Sequence, residues 1–178
     1  MPRRVILEAD RLEFILRRLC EQLIENHFHF SDTCILGLQP RGVLLARRIH
    51  KLLQELTGDK IAYGELDATF YRDDFRRRDQ PLTPNATQVP FIIEGKKVIL
   101  IDDVLYTGRT VRAALDAMNA FGRPSKVELL VLINRRYTRD LPIEPTYTGL
   151  AVHTLSSQKV SVAWQEDKDG QNQVSIVE

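Results

Sequence analysis

The chain has 178 residues and a net charge of +1, with 43% hydrophobic and 28% charged residues. These values are ordinary for a globular protein and exclude a disordered chain, a collagen-like fibre and a coiled-coil rod. No run of about 18 apolar residues exists, so we expect no membrane-spanning helix. The apolar run 5–7 is too short for a signal peptide. Cys20 and Cys34 lie in apolar runs, which predicts buried, reduced thiols and a cytoplasmic location.

The charge is unevenly distributed along the chain. Residues 1–139 have a net charge of +5, whereas residues 140–178 have a net charge of −4. Eighteen of the 25 basic residues are Arg, whose planar guanidinium suits phosphate better than the point charge of Lys does. The composition is therefore compatible with a phosphate-rich ligand and equally with an ordinary solvated surface.

The first part of the chain alternates between helical and strand patterns. Asp10 and Glu13 form a capping-box pattern at the start of a predicted helix. The apolar spacing then predicts a helix over 11–25, a buried strand over 33–38, a turn over 39–42, a helix over 43–57 and a strand over 61–71.

Residues 72–96 interrupt this alternation. Seven of the eight positions 72–79 are charged, and Pro81, Pro84 and Pro90 follow. A long connection without periodicity inside a compact domain is typical of a functional lid or a disordered segment. We expect a flexible, Arg-rich lid loop over about 72–90. An inert insertion is the alternative, and 87–93 is compatible with a hairpin.

The second part of the chain begins with the run 97–101, which is apolar at every position after Lys97 and is typical of a parallel strand buried on both faces. This strand is predicted to end at Asp102 and Asp103. The following patterns predict a helix over 110–121 and strands over 127–133, 147–152, 160–164 and 174–177, the last two paired as a hairpin. The fold class is therefore α/β: a twisted parallel sheet flanked by helices, with a small hood built from the chain ends.

The residues that follow the 97–101 strand have the chemistry of a sugar-phosphate site. Ligands of open α/β sheets bind beyond the carboxyl ends of the strands, where Asp102 and Asp103 supply two carboxylates. Thr107, Gly108 and Thr110 come just before a predicted helix, and the N–H groups of a helix start bind phosphate. Carboxylates beside a phosphate site match a sugar phosphate, which has hydroxyls to donate and a phosphate to be bound.

Two other nucleotide sites are disfavoured by the sequence. An acidic pair at a strand end also holds Mg²⁺ beside a P-loop, but 37–42 has only the two glycines of that motif. It continues with Val43 and Leu44, where a P-loop has Lys and a hydroxyl residue. The dinucleotide motif G-x-G-x-x-G does not occur in the chain.

The stretch 98–110 resembles the signature of type I phosphoribosyltransferases, which consists of four hydrophobic residues, two acidic residues and a Thr-Gly-x-Thr loop. Nearly the whole chain is similar to the bifunctional pyrimidine operon attenuator / uracil phosphoribosyltransferase family. The further segments that carry this similarity are 64–67, 71–74, 102–112, 122–125 and 141–143. The resemblance implies the type I phosphoribosyltransferase fold, with a single domain over 1–178.

The resemblance implies an activity: uracil and phosphoribosyl diphosphate react to give UMP and diphosphate, and Mg²⁺ is required. It implies that Asp102 and Asp103 hold the ribose hydroxyls, directly or through Mg²⁺, and that Arg41 and Arg72 bind the diphosphate. Closure of the lid would exclude water, which otherwise attacks the cationic transition state.

The resemblance also assigns substrate contacts to three segments. The expected contacts are Gln39, Pro40, Arg41 and Gly42 in the diphosphate loop, Val104, Leu105, Tyr106, Thr107, Gly108, Arg109 and Thr110 in the phosphate loop, and Val160 near the base. Pro40 stands where relatives commonly carry Thr, in a loop that often has an unusual peptide geometry. Purine-using relatives usually have an acidic residue at the position of Tyr106. Because an ordinary Tyr ionises only near about pH 10, we expect a pyrimidine base.

A second activity is implied by the same resemblance. Members of the family bind pyrimidine operon leader mRNA when UMP or UTP is present, which requires a basic surface. The candidate residues are Arg17, Arg18, Arg135, Arg136 and Arg139. The sequence departs from the family at Glu21, where relatives show His, and at 134–140, which has one residue extra.

Three functions therefore stay open at this point. The first is a uracil transferase that also regulates transcription, the second is an RNA-binding nucleotide sensor without catalysis, and the third is a purine phosphoribosyltransferase. The resemblance suggests a homodimer or a higher homo-oligomer in each case.

Overall fold

The computed structural model describes residues 2–72, 87–167 and 170–178, except for the side chain of Phe70. Most of the predicted lid lies outside these residues. The elements are β1 (Arg3–Leu7), α1 (Ala9–His27), β2 (Thr33–Leu38), α2 (Gly42–Thr57), β3 (Ala62–Leu66), β4 (Lys97–Leu105), α3 (Arg109–Met118), β5 (Lys126–Arg136), β6 (Tyr147–His153), β7 (Lys159–Ala163) and β8 (Gln173–Val177). Short 3₁₀ helices cover Thr69–Tyr71 and Asn119–Phe121.

The predicted fold class is confirmed. Five parallel strands form a central sheet in the order β3-β2-β4-β5-β6. The chain ends form the hood, an antiparallel sheet in the order β1-β8-β7, in which β7 and β8 are the predicted hairpin.

The hydrophobic core lies on both faces of the central sheet. Along β4, Ile99 and Ile101 pack into a cluster with residues of α1 and α2. The alternate residues Val98 and Leu100 pack into a second cluster with residues of α3. Because both faces are covered, β4 is apolar at each of the positions 98–101 rather than at every second position.

The order of the strands defines a crevice at one end of the sheet. After β2 the chain crosses through α2 to β3 on one side, and after β4 it crosses through α3 to β5 on the other side. The connections therefore diverge between β2 and β4, and ligands of open α/β sheets bind at such a switch point. The loops after β2 and β4 both begin at this crevice.

Two predicted helix boundaries differ from the structure. The N-cap of α1 is Glu8, with no side-chain cap hydrogen bond, so the predicted capping box of Asp10 and Glu13 is wrong and Asp10 lies within the first turn. The helix predicted over 110–121 ends as an α-helix at Met118 and continues as one 3₁₀ turn.

The strand predicted over 61–71 ends already at Leu66. Oδ1 of Asp67 accepts a hydrogen bond from the N–H of Thr69 at 2.9 Å, and this local turn replaces the ladder. The hairpin considered for 87–93 is not formed, since Gln88 makes only an isolated bridge to Glu65.

The two predicted thiols are buried and free. Burial raises the pKa of Cys20 to about 12 and that of Cys34 to about 11, so both are protonated at neutral pH. No helix among the described residues is long and apolar enough to cross a membrane.

Candidate active site

The acidic pair lies where β4 separates from β2. Pairing between these strands ends at Gly37 and Ile101, whereas β4 stays paired with the longer strand β5 through Leu105. Asp102 and Asp103 were predicted to end this strand, but they lie within β4, which continues to Leu105. The ladder to β5 holds their backbone while the side facing β2 opens into the crevice.

Burial disfavours the ionised forms of both carboxylates of this pair. Burial raises the pKa of Asp102 well above its ordinary value, and the charge of Asp103 adds to this, while Arg72 acts in the opposite direction. Burial likewise raises the pKa of Asp103, against the hydrogen bond from Val104 N–H and the charge of Arg41. The pair thus favours a ligand that brings protons or positive charge to the carboxylates.

The phosphate loop follows directly after β4. Gly108 caps α3 with a φ of 91°, a conformation that glycine adopts without steric cost, and α3 begins at Arg109. The N–H of Arg109 donates to Oγ1 of Thr107 at 3.4 Å, and Nη1 of Arg72 donates to Oγ1 of Thr110 at 3.5 Å. A cleft lined by Arg72, Asp102 and residues 104–111 brings most of the predicted contacts together.

The segment after β5 supports this loop from outside. The N–H groups of Asp140 and Leu141 donate to the carbonyl of Thr107 at 3.0 and 3.2 Å. Nε of Arg109 donates to Oδ2 of Asp140 at 3.2 Å, so Arg109 faces this segment. A Cβ atom added at Gly108 would lie 3.3 Å from Cβ of Ile143, so the loop packs closely against the segment.

The diphosphate loop approaches the acidic pair from β2. Its Gln39–Pro40 peptide bond is cis. A Cβ atom added at Gly42 would lie 2.7 Å from the carbonyl oxygen of Ile101 and 2.9 Å from Oδ1 of Asp102. Only glycine therefore allows the start of α2 to lie this close to the carboxylates.

Arg41 is bound to the hood in this structure. Its guanidinium forms two hydrogen bonds with Asp167, at 2.8 and 2.9 Å, and a third with the carbonyl of Val162 at 2.6 Å. The hydrogen bond from Arg41 is the main reason why the pKa of Asp167 falls to about 2. The sequence predicted Arg41 for the diphosphate, but the structure shows it engaged by the loop after β7.

Val160 lies in β7 of the hood, half-buried and paired with Ile176. Contacts between β7 and β4 place the hood beside the central sheet. Val160 therefore belongs to a different sheet from the phosphate loop, and its contact with the base stays a prediction.

Sequence reasoning missed the residue that holds the diphosphate loop. Glu65, which is buried at the end of β3, accepts hydrogen bonds from Nε2 of Gln39 at 2.9 Å, from Nε of Arg47 at 2.8 Å and from the hydroxyl of Tyr63 at 2.9 Å. The available signal was a carboxylate inside the otherwise uncharged strand 62–66. Asp167 was also missed, and no local pattern marks it.

The acidic pair fits a divalent cation. Among the residues that the structure describes, no group of three or more His, Cys, Asp or Glu side chains forms a complete metal site. Mg²⁺ is commonly bound through one or two carboxylates together with waters and substrate phosphates. Asp102 and Asp103, whose pKa values are both raised chiefly by burial, provide such a partial set.

Comparisons with known proteins agree with this geometry. The profile of the phosphoribosyl transferase domain matches residues 4–167. The bifunctional protein PyrR of Gloeothece citriformis is 44% identical over 179 residues, which cover 99% of either chain. PyrR of Desulfosudis oleivorans is 42% identical over 171 residues, covering 96% of this chain and 94% of the relative. The chain belongs to the PyrR family of phosphoribosyltransferases.

Solved structures share the fold of this PyrR-family chain. A hypoxanthine phosphoribosyltransferase from Staphylococcus aureus matches with a TM-score of 0.73 and 16% identity, covering 98% of this chain and 90% of the other. The hypoxanthine phosphoribosyltransferase of Trypanosoma cruzi matches with a TM-score of 0.74 and 10% identity, covering 97% and 95%. At these identities the matches establish the type I phosphoribosyltransferase fold, while the base must be argued from the site.

The arginines predicted for RNA on α1 are partly engaged. Nε of Arg17 lies 3.2 Å from Oε1 of Glu21 in an exposed ion pair, which screens the charge of Arg17. Nη2 of Arg18 donates to the carbonyl of Gly149 at 2.5 Å and so ties α1 to β6.

The three arginines predicted for RNA after β5 divide into two groups. Arg136 is exposed. Arg135 is only 4% exposed, and 15% of the Arg139 side chain is exposed. The guanidinium of Arg135 is buried and so offers little surface to an RNA backbone, unlike that of Arg136.

Proposed function

We propose that this PyrR-family chain transfers a phosphoribosyl group from phosphoribosyl diphosphate to uracil, which yields UMP and diphosphate. The observation that carries the proposal is the position of Asp102 and Asp103. They lie between the start of α3 and the diphosphate loop, at the switch point of the sheet. Membership in the phosphoribosyltransferase family supports the reaction type.

The ribose and its phosphate fit the two sides of this site. Hydroxyls of the ribose would donate to Asp102 and Asp103, whose burial has raised their pKa values. The phosphate would bind at the start of α3, where N–H groups and the hydroxyls of Thr107 and Thr110 are available. Both ends of the ribose are thereby fixed before the bond at its anomeric carbon breaks.

Diphosphate leaves with several negative charges, which cations of the site would stabilise. Arg72 lies at the cleft, since it donates to Thr110. Arg41 would exchange Asp167 for the diphosphate. The bond from the anomeric carbon to diphosphate breaks, the bond to the uracil nitrogen forms, and that nitrogen loses its proton. Donors aimed at the leaving group lower this barrier most when water is excluded.

Asp102 and Asp103 would hold Mg²⁺, which supplies positive charge for the ribose hydroxyls and the diphosphate when bound. We propose the same two residues for both duties, since Asp102 lines the cleft and Asp103 adjoins it in β4.

Uracil is proposed as the base because Tyr106 offers no carboxylate to a purine ring. It would lie beside Val104, Leu105 and Tyr106, with Val160 of the hood near its edge. Radiolabelled uracil and guanine, assayed side by side with phosphoribosyl diphosphate, test this assignment. Transfer to uracil is expected, transfer to guanine alone would establish a purine enzyme, and UMP binding without turnover would indicate a nucleotide sensor.

RNA binding is proposed as a second function because the relatives are named bifunctional and align over nearly the full length. The exposed candidates are Arg17, Arg18 and Arg136, since Arg135 is buried. A gel-shift titration with a pyrimidine leader transcript at fixed salt concentration tests it. A shift that UMP strengthens is expected, and the absence of any UMP effect would contradict the proposal.

We also propose that residues 1–178 act as one phosphoribosyltransferase domain in a homodimer or a higher homo-oligomer. Light scattering during gel filtration tests the assembly, and a monomeric mass over the working concentration range would contradict it.

A further inference from the structure

The segment 134–141 contains two arginines, Arg135 and Arg139, that contact Tyr106 of the phosphate loop. We propose that Arg135 and Arg139 are positioning residues that fix Tyr106 at the base end of the phosphate loop. The proposal rests on the proposed transfer to uracil and adds residues that determine how the base is bound.

Arg135 holds the ring of Tyr106. Its Cζ atom lies 3.9 Å from the centroid of that ring. Nε donates to Oγ1 of Thr154 at 2.8 Å and Nη2 donates to the carbonyl of Leu155 at 3.1 Å, so the guanidinium is fixed from the end of β6. Cation–π contacts are strongest when the cation is shielded from water, and Arg135 is only 4% exposed.

Arg139 holds the backbone of the same residue. Its Nη1 donates to the carbonyl of Tyr106 at 2.7 Å and to the carbonyl of Arg135 at 2.9 Å, while Nε donates to the carbonyl of Ile143 at 2.8 Å. Its Nη2 also hydrogen-bonds the side-chain oxygen of Asn134. Each donor group of this guanidinium therefore has an acceptor within the segment, at Ile143 or at Tyr106.

Tyr106 is the point at which this support reaches the ligand. It lines the cleft beside Asp102, and 38% of it is exposed. With its ring over Arg135 and its carbonyl bound by Arg139, only a limited part of Tyr106 can contact a base. Fixing such a contact in advance lowers the entropy cost of binding. Arg135 itself is too buried to touch the base, so it acts through Tyr106.

The two arginines are expected to affect different parts of the ligand. Arg135 controls the ring, which adjoins the base, whereas Arg139 controls the backbone that continues into the loop for the ribose phosphate. The same geometry gives the two mostly buried arginines of the segment a task inside the protein, whereas Arg136 is exposed.

The experiment compares the affinities of UMP and ribose 5-phosphate in Arg135→Met, which keeps the length of the side chain but removes its charge. Isothermal calorimetry should show UMP binding weakened about tenfold, the scale of a water-shielded cation–π contact. Ribose 5-phosphate should bind as in the wild type. The KM for uracil should rise by a similar factor, while the KM for phosphoribosyl diphosphate changes by less than about twofold.

Two further variants complete the series. Arg135→Lys keeps a cation below the ring and should recover part of the UMP affinity. Arg139→Met should weaken UMP and ribose 5-phosphate alike, because it releases the backbone of the loop. The matched control is Arg123→Met, an exposed arginine at the opposite end of the strands, and it should leave both affinities unchanged.

Several results would overturn the inference. One is unchanged UMP affinity in Arg135→Met. Another is an equal loss of both ligands with no recovery in Arg135→Lys, which thermal melting would assign to lost stability. If Arg135→Met binds UMP normally but shifts the leader transcript less than the wild type does, Arg135 serves RNA binding instead. A wild-type chain that binds UMP but does not transfer uracil would instead contradict the proposed function, and the calorimetric comparison would still decide on Tyr106.

Discussion

The two ends of the central sheet both bury carboxylates but treat them differently. At the end where the strands begin, Oε2 of Glu128 contacts Nε2 of His27 at 2.7 Å and the hydroxyl of Tyr147 at 2.8 Å, and Oε1 contacts Nζ of Lys126 at 2.8 Å. Burial alone would raise the pKa of Glu128, but these hydrogen bonds outweigh it and the pKa is lowered. At the other end, burial prevails and the pKa of Asp102 is raised.

The difference shows how a buried charge can serve structure or function. Glu128 joins the end of α1 to β5 and β6, and His27 extends the network to Oγ1 of Thr33 at 3.1 Å. The charge of Glu128 is therefore paired by groups of the protein itself. The charges of Asp102 and Asp103 are not compensated to the same degree, and a ligand is needed to complete them.

The largest expected effect is the loss of catalysis when Asp102 and Asp103 are replaced. Asp102→Asn combined with Asp103→Asn should lower the rate of phosphoribosyl transfer by about a thousandfold or more, because the ribose hydroxyls lose both acceptors. Circular dichroism should show an unchanged fold. Asp116→Asn on α3, an exposed carboxylate, is the control, and normal activity of the double variant would show that the ribose binds elsewhere.

At the end of the sheet where the strands begin, a substitution should change the stability of the fold rather than the activity. His27→Ala should lower the free energy of unfolding by about 3 kcal/mol, since it leaves Glu128 with one buried partner fewer and creates a cavity. Urea titration measures this change. His29→Ala, at an exposed neighbour, should have little effect. A loss of kcat/KM in the folded fraction of His27→Ala would mean that the two ends are coupled.

The dependence of stability on pH should differ in sign between the two ends. The raised pKa of Asp102 means that its contribution to stability is present below its ordinary pKa of 3.8 and is lost as the pH rises through the folded value. The lowered pKa of Glu128 means that its contribution is present above 4.5 and is lost as the pH falls through the folded value.

At pH 7, therefore, Asp102→Asn should raise the melting temperature and Glu128→Gln should lower it. Both differences should shrink on acidification. Melting curves of the two variants and the wild type between about pH 3 and pH 7 measure this. Changes of the same sign at neutral pH would contradict the distinction between the two ends.

The smallest expected effect concerns the hood. Asp167→Asn should weaken the ion pair that engages Arg41 at the hood and lower the KM for phosphoribosyl diphosphate by about twofold, because partly exposed ion pairs contribute little. Asp32→Asn, which removes an exposed pair with Lys97 at the opposite end, is the control. A raised KM would show that Asp167 orients Arg41 for the substrate instead.

The central strands and the acidic pair were predictable because their signals are local. Strands that are buried on both faces leave continuous apolar runs, so 33–38 and 97–101 were located closely by sequence alone. The phosphate loop was equally visible, since Thr107, Gly108 and Thr110 belong to one short stretch. The 61–71 strand was overestimated because the turn at Asp67, also a local feature, was not recognised.

The partners of the arginines were decided only by the tertiary structure. Arg41 and Asp167 are 126 positions apart in the sequence, and nothing near either residue marks the other. Arg135 has the same local pattern as the exposed Arg136, yet the strand pairing turns one inward under Tyr106 and the other outward. Sequence determines which residues can form strands, loops and charged sites, because those depend on neighbours in the chain. Which cation meets which carboxylate or ring depends on elements that come together only in the folded protein.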